Sequence, residues 1–426
     1  MNKKILFLVA VLFVSAMSYA QIRSYGQDGV NEFESPKATD ETFEKVSIKI
    51  GGNFTQSFQA LSHSNTADIV TNPAAALVKI GPGFNTAVAN LNFDVHLAEG
   101  VYMNMALYLS SRHHNETWVK GGYIRMDKLP FLKVDFLDQL MEYTTIKIGH
   151  MEVNYGDAHF RRSDNGNALY NPFVENYILD AFATEIGAEV DLNFGPFLAV
   201  LSATNGQIKG NINTYEPVPD ASNGKQNPAF IAKLGYDNQV TDDLRVRLTG
   251  SVYTTAGSIG NTLYGGDRAG SHYYGVMDNA MTTSTFTSGR LNPGFGDKVT
   301  SMMGNLFVKF GGLESFTTLE TANGRGRLET TGERAASQFA TDLLYRFGSD
   351  EKFYVGARYN VAKARLMGYA ADVDVNRMAV SAGWFVTPNL LTKVEYVSQK
   401  YDGFAATDIR NGGEFSGLAI QAVVGF

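Results

Sequence analysis

After residue 20 the chain contains no apolar run approaching the roughly 18 residues that a membrane-crossing helix needs. Yet segment after segment alternates apolar residues with polar or small ones. Such period-two segments cross a hydrocarbon slab only as strands, and only in a sheet that closes on itself, because an open edge leaves backbone groups unpaired in lipid. One hairpin shows the pattern. Ala87, Ala89, Leu91, Phe93, Val95 and Leu97 share a face, Ala98-Glu99-Gly100 turns, and Val101, Met103, Met105, Leu107 and Leu109 continue the apolar side. The last segment repeats it with Leu418, Ile420, Ala422, Val424 and Phe426, and the chain stops on that aromatic.

The alternation gives an all-β fold, a transmembrane antiparallel β-barrel of about 16 strands, with about 14 or 18 as the neighbouring even counts. The first strand runs near 46–61 and the last over 415–426. Connections alternate in length. Short ones fall at 98–100, 193–196, 237–242, 311–313, 348–352 and 387–389, and long polar ones at 62–83, 154–181, 205–227, 255–300, 323–336, 363–372 and 400–414. Brief periplasmic turns opposite long external loops are the layout of outer-membrane barrels, whereas a soluble all-β protein has no need of it. At 127–143, Asp135 precedes Phe136, Leu137, Leu140 and Met141 at helical spacing, which predicts a short helix on the periplasmic side.

The chain opens with Lys3 and Lys4, an apolar stretch over 5–17 and Ser18-Tyr19-Ala20, the pattern of a secretory signal peptide over 1–20 cleaved before Gln21. The absence of cysteine excludes a lipoprotein anchor and any disulfide framework. No linker interrupts the 426 residues after about residue 45, so 21–45 reads as a periplasmic N-terminal segment and 46–426 as one barrel domain. The 28 Phe and 21 Tyr suit two interfacial belts, and a net charge of −7 leaves no footprint for nucleic acid.

Function then rests on the inward faces and the loops. The connection at about 154–181 follows the fifth strand and is the expected constriction, with Asp157, Arg161, Arg162 and Asp164 at its tip. Its arginines either focus a field that favours anions or pair with Asp157 and Asp164 to stiffen the loop. The expected pore lining is Glu185 and Glu189 from the first half of the chain and Arg245, Arg247, Arg358, Arg377 and Lys393 from the second, a transverse field across the lumen of a water-filled pore with modest anion preference. Catalytic signatures are missing, and neither a metal site nor a cofactor is implied. His113-His114 lacks further ligands, and Asp372-Val373-Asp374-Val375-Asn376 lacks the Gly and closing Glu of a calcium loop.

The segments Leu91-Asn92-Phe93-Asp94-Val95-His96-Leu97, Ile146-Lys147-Ile148-Gly149-His150-Met151, Asn154-Tyr155-Gly156 and the terminal Gly425-Phe426 resemble porin-like outer-membrane proteins of Bacteroidetes, a group that includes the phosphate-selective porins O and P. The resemblance implies passive uptake of small hydrophilic solutes through an outer-membrane barrel. Phosphate selectivity is not carried over, because no Lys or Arg cluster matches position by position. The expected partners are outer-membrane lipid, small hydrophilic solutes, the barrel-assembly machinery reading Phe426, and further copies of the chain in a homo-oligomer. A second reading is a barrel plugged by its own loops, 255–300 foremost, that serves as a structural or assembly subunit of an envelope complex.

Overall fold

The structure, a computed structural model, describes residues 24–37, 42–110, 116–163, 168–207, 226–280, 287–329 and 331–426. The expected signal peptide, Asp164 and the His113-His114 pair lie outside the described residues. Sixteen long antiparallel strands close into a barrel, with the two-residue strand Gly83–Phe84 as an extra pairing on the first of them.

In chain order the first eight are β1 (Ser47–Ser64), β2 (Val88–Ala98), β3 (Val101–Leu109), β4 (Trp118–Met126), β5 (Thr144–Glu152), β6 (Thr184–Phe194), β7 (Phe197–Thr204) and β8 (Ala229–Gln239). The second eight are β9 (Leu244–Thr255), β10 (Val299–Phe310), β11 (Leu313–Gly324), β12 (Arg334–Phe347), β13 (Phe353–Ala364), β14 (Val373–Thr387), β15 (Leu390–Asp402) and β16 (Glu414–Gly425). Each pairs with its sequence neighbours, so the expected strand layout is the observed one. The expected short helix is α1, Asp135–Met141, between β4 and β5 on the short-turn side, with Asp135 and Asp138 in its first turn where they complement the helix dipole.

Closure falls on β1, the longest strand. Its first half pairs with β2, as in Ile50 opposite Phe93, and its second half pairs with β16, as in Phe58 opposite Ile420. This stagger is what lets tilted strands close without an edge, and Gly83–Phe84 covers β1 at Phe58 and Gln59, beyond the end of β2. The C-terminus locks into the same seam, since Gly52 and Phe426 exchange backbone hydrogen bonds at 2.8 and 3.0 Å.

Alternation sorts the two faces. Along β16, Leu418, Ile420, Val424 and Phe426 are exposed outward while Ala419, Gln421 and Val423 are buried inside. The outer wall continues through Leu234, Leu248, Met302, Leu306, Leu319, Met378 and Val380. At the short-turn rim the aromatics contact one another: Tyr345, Phe347, Phe353 and Trp384 stack in succession with centroids 5.7 to 6.0 Å apart, and Tyr143 stacks on Phe194 at 5.2 Å. This is the interfacial belt of a membrane barrel. The apolar band predicts a depth-dependent response to charge. Leu306→Arg, at mid-wall, should cost about 2–4 kcal/mol of folding free energy in lipid vesicles, and Phe310→Arg at the rim about 1 or less. Denaturant titrations of the two variants check this, and equal costs would contradict the placement of the band.

Candidate functional site

The inner face of the barrel is polar on nearly every strand, and the connection between β5 and β6 lies against one side of it. A loop buried this way must find partners for its backbone without water, and the wall side chains provide them. Asn360 and Gln338 accept from the amides of Ile178 and Leu179 at 2.7 and 2.8 Å, and Glu395 accepts from that of Val174 at 2.8 Å. Lys393 donates to the carbonyls of Ala168, Asn171 and Phe173 at 3.0 to 3.1 Å. Arg358 and Arg377 donate to the carbonyls of Glu175 and Asn176, each at 2.7 Å. All of these wall residues belong to β12–β15. Their charges face a loop, not open water.

The loop tip is held by ion pairs. Asp157 receives Lys233 at 2.9 Å and Arg247 through two nitrogens at 2.9 Å each, with Thr249 donating at 2.7 Å. Burial alone would raise the Asp157 carboxyl, but Lys233 and Arg247 outweigh it and hold the group well below the ordinary range. Arg161 pairs with Glu314 at 2.6 Å and Arg162 with Asp180. The loop arginines are thus structural pairs, with Glu314 and Asp180 as partners in place of Asp157. The described part of the connection between β9 and β10 caps the loop: Arg290 reaches Glu175 at 2.7 Å and Asp180 at 3.0 Å, and Ser271 donates to Glu175 at 2.9 Å. Burial works against ionisation of Glu175, yet Arg290, His272 and Arg377 bring it down to about 2.

A third element enters from the opposite end. Residues 24–37, expected as a periplasmic segment, run through the short-turn mouth of the barrel as a strap. Gln27 donates to the carbonyl of Pro388 at 2.7 Å, and Asn31 reaches Glu314 at 2.8 Å. Tyr25 lies over β1 and β16 where only glycine leaves room, since a Cβ at Gly51 would be 2.2 Å from its ring and one at Gly425 2.0 Å from its carbonyl oxygen. Glu34 pairs with Lys233 at 3.1 Å and Arg247 at 2.7 Å. Burial would raise this carboxyl, and Lys233 with Arg247 lower it below its ordinary value.

An eccentric cleft of about 200 Å³ lies between the loop and the wall of β2–β6. Its lining mixes signs: Asp94, Glu152 and Glu189 with Lys120, Lys147 and His150, beside Tyr25, Phe33 and Glu34 of the strap. Lys147 bridges Glu189 at 2.9 Å and Asp191 at 2.7 Å, and Lys120 reaches Asp267 of the capping loop at 2.5 Å. A second cavity of about 430 Å³ occupies the mouth, lined by the strap with Asp237, Arg245 and Arg247. Phe33 and Glu34 line both cavities.

Of the residues expected to line a pore, Glu189 lines the cleft. Glu185 is buried under hydrogen bonds from Tyr253 and Thr204. Arg245 and Arg247 sit at the mouth, while Arg358, Arg377 and Lys393 hold the loop. The sequence did not single out Lys233, whose inward neighbours on β8 are the apolar Ala229 and Ile231. Glu34 lies in no periodic segment and carried no signal. Lys147 and Glu152 were visible only as members of β5. Among the described residues no group of three or more His, Asp or Glu is arranged to hold a metal ion.

No family model matches the chain. A search of curated proteins finds no match in sequence. Solved structures do match over nearly the whole chain. An anion-selective porin from Comamonas acidovorans is 12% identical, with a TM-score of 0.53 over 90% of this chain and 100% of that one. The outer membrane channel DcaP of Acinetobacter baumannii is 11% identical, with a TM-score of 0.52 over 91% and 99%. OmpF of Salmonella typhi, solved in complex with daunomycin, is 11% identical, with a TM-score of 0.50 over 89% and 97%. At such identity the likeness is one of fold. Together with the lipid-facing wall and the aromatic belt, it makes this chain a porin-like barrel of the bacterial outer membrane.

Proposed function

We propose that the protein is an outer-membrane channel for passive diffusion of small hydrophilic solutes, and that their path is the cleft along β2–β6. The observation that carries this reading is the asymmetry of the filling. Loop and cap take most of their charged ties from β8–β15, while the facing wall keeps Asp94, Lys147, His150 and Glu189 along a cleft, with Lys120–Asp267 and Glu152–His159 as its ties to the cap and the loop. Solutes moving there meet both signs of charge and aromatic rings, an environment for polar molecules and not for lipids. The arginines Arg161 and Arg162, each engaged by a carboxylate, contribute little field to this path. Carboxylates outnumber cations along the cleft, so the selectivity we propose is weak and leans toward cations.

The extent of the filling favours a second reading, a closed barrel serving as a subunit of an envelope complex. Planar-bilayer recording of the purified full-length protein separates the two. Small, reproducible conductance steps with a reversal potential slightly on the cation side in a salt gradient are expected. Silence together with a co-purifying envelope protein would favour the subunit, and clear anion selectivity would refute the proposed path.

Loop anchoring gives a second prediction. Asp157→Asn leaves Lys233 and Arg247 short of one buried counter-charge, which should weaken the loop's attachment by about 3–5 kcal/mol. Its channels should be noisier, with a larger mean conductance, while the heat-modifiable mobility of the barrel in detergent gels changes little. Unchanged current traces would show that Asp157 does not hold the constriction.

Acid gives a third. The Glu175 carboxyl ionises near 2 against an ordinary 4.5, so its stabilisation of the loop-to-cap contact is complete above about pH 4.5 and is lost as pH falls through about 2. Conductance should be steady from neutral pH to about 5 and become unstable between about 4 and 2. Glu175→Gln should bring that instability to neutral pH, and a variant indistinguishable from the parent across the range would exclude Glu175 as the tie.

A further inference from the structure

The strap presents two consecutive side chains, Phe33 and Glu34, to one site. The Phe33 ring lies edge-on to Phe307 at 5.5 Å and to Phe160 at 5.8 Å, with the guanidinium carbon of Arg247 4.2 Å from its centre. The Glu34 carboxylate meets the same guanidinium at 2.7 Å and the Lys233 ammonium at 3.1 Å. An aromatic ring and a carboxylate therefore converge on Arg247 from one short piece of chain. They fill a recess built by β8, β9, β10 and the loop between β5 and β6.

The charges of this recess balance only while the strap is in place. Lys233, Arg245 and Arg247 face Asp157, Asp237 and Glu34. Withdrawal of Glu34 would leave one buried cation without a counter-charge, a state that calls for another anion. The same withdrawal would vacate the slot of Phe33, a side chain that is 3% exposed. The strap joins no strand ladder and is held by isolated contacts, so it can leave without opening the barrel.

We propose that the recess of Lys233, Arg247, Phe160 and Phe307 is a binding site for small aromatic carboxylates, occupied in this structure by Phe33 and Glu34 as a tethered ligand. A solute carrying a phenyl ring close to a carboxylate satisfies the ring contact and the charge together. Propionate or inorganic phosphate satisfies only the charge. Binding displaces the strap and widens the connection between the lumenal cleft and the mouth cavity, both of which Phe33 and Glu34 line.

The chain contains no cysteine, so Ser35→Cys carrying a nitroxide reports on the strap alone. In detergent micelles, 3-phenylpropionate should mobilise the label at concentrations about tenfold lower than propionate, phosphate or 3-phenylpropanol. Deleting residues 24–37 should tighten 3-phenylpropionate binding, measured by calorimetry, by about tenfold or more, because the competing strap is gone. Should that deletion fail to fold, Phe33→Ala combined with Glu34→Gln in the full chain makes the same comparison, and Lys233→Met should abolish the response. A label that never responds, or one that responds equally to phosphate and 3-phenylpropionate, overturns the proposal. So does a strap-deleted or strap-mutated protein that binds no better than the parent. None of these readouts requires ion conduction, so a silent barrel that binds the ligand refutes the channel and not the site.

Discussion

Lys233 and Arg247 are the point on which the interior depends. They rise from adjacent strands, β8 and β9, and take carboxylates from both inserted segments, Asp157 of the loop between β5 and β6 and Glu34 of the strap. Two cations this deeply buried are costly alone, and attraction to a single carboxylate would leave an excess of charge. With Asp157 and Glu34 both present, and Arg245 engaged by Asp237, the cluster is neutral. Loop and strap are therefore coupled. Each supplies part of the counter-charge that makes the other's anchoring cations tolerable.

The remainder of the loop follows from a different constraint. Its carbonyls and amides are cut off from bulk solvent, so each needs a partner from the wall. Strands β12–β15 meet that need with long donors, Arg358, Arg377 and Lys393, and with the short acceptors Gln338, Asn360 and Glu395. A wall built for free solute would have little use for a lysine aimed at three backbone carbonyls. The second half of the barrel is accordingly a seat for the loop, and the proposed passage runs along the first half.

Much of this was legible in the sequence. Period-two alternation and the contrast of short and long connections gave the strands, their order and the inward or outward sense of residues such as Glu189, Arg247 and Lys393. The fifth connection stood out because it follows the fifth strand and carries the adjacent arginines Arg161 and Arg162. What could not be read was which charge meets which. Glu314 and Asp180 are far in sequence from Arg161 or sit in an unpatterned stretch, and barrel register across a filled lumen decides those pairs. The strap was illegible for a related reason. Its partners lie on β8, β9 and at the β1–β16 seam, so its place depends on the finished barrel and not on any local period.

The inner face of a membrane barrel is polar in either case, whether it borders water or a folded segment, and sequence parity cannot distinguish the two. The geometry of the donors can. Side chains that meet water have no need of fixed acceptors, whereas Arg377 divides its hydrogen bonds among Gln399, the carbonyl of Asn176 and the carbonyl of Gly289, at 2.6 to 2.7 Å. On β5 and β6 the comparable cation, Lys147, is matched only to the wall carboxylates Glu189 and Asp191. Charges that satisfy one another within the wall leave the space in front of them open, and charges that reach across the lumen close it. By that criterion the proposed passage belongs beside β2–β6, where Lys147 is paired within the wall and the ties to the inserted segments are Lys120–Asp267 and Glu152–His159.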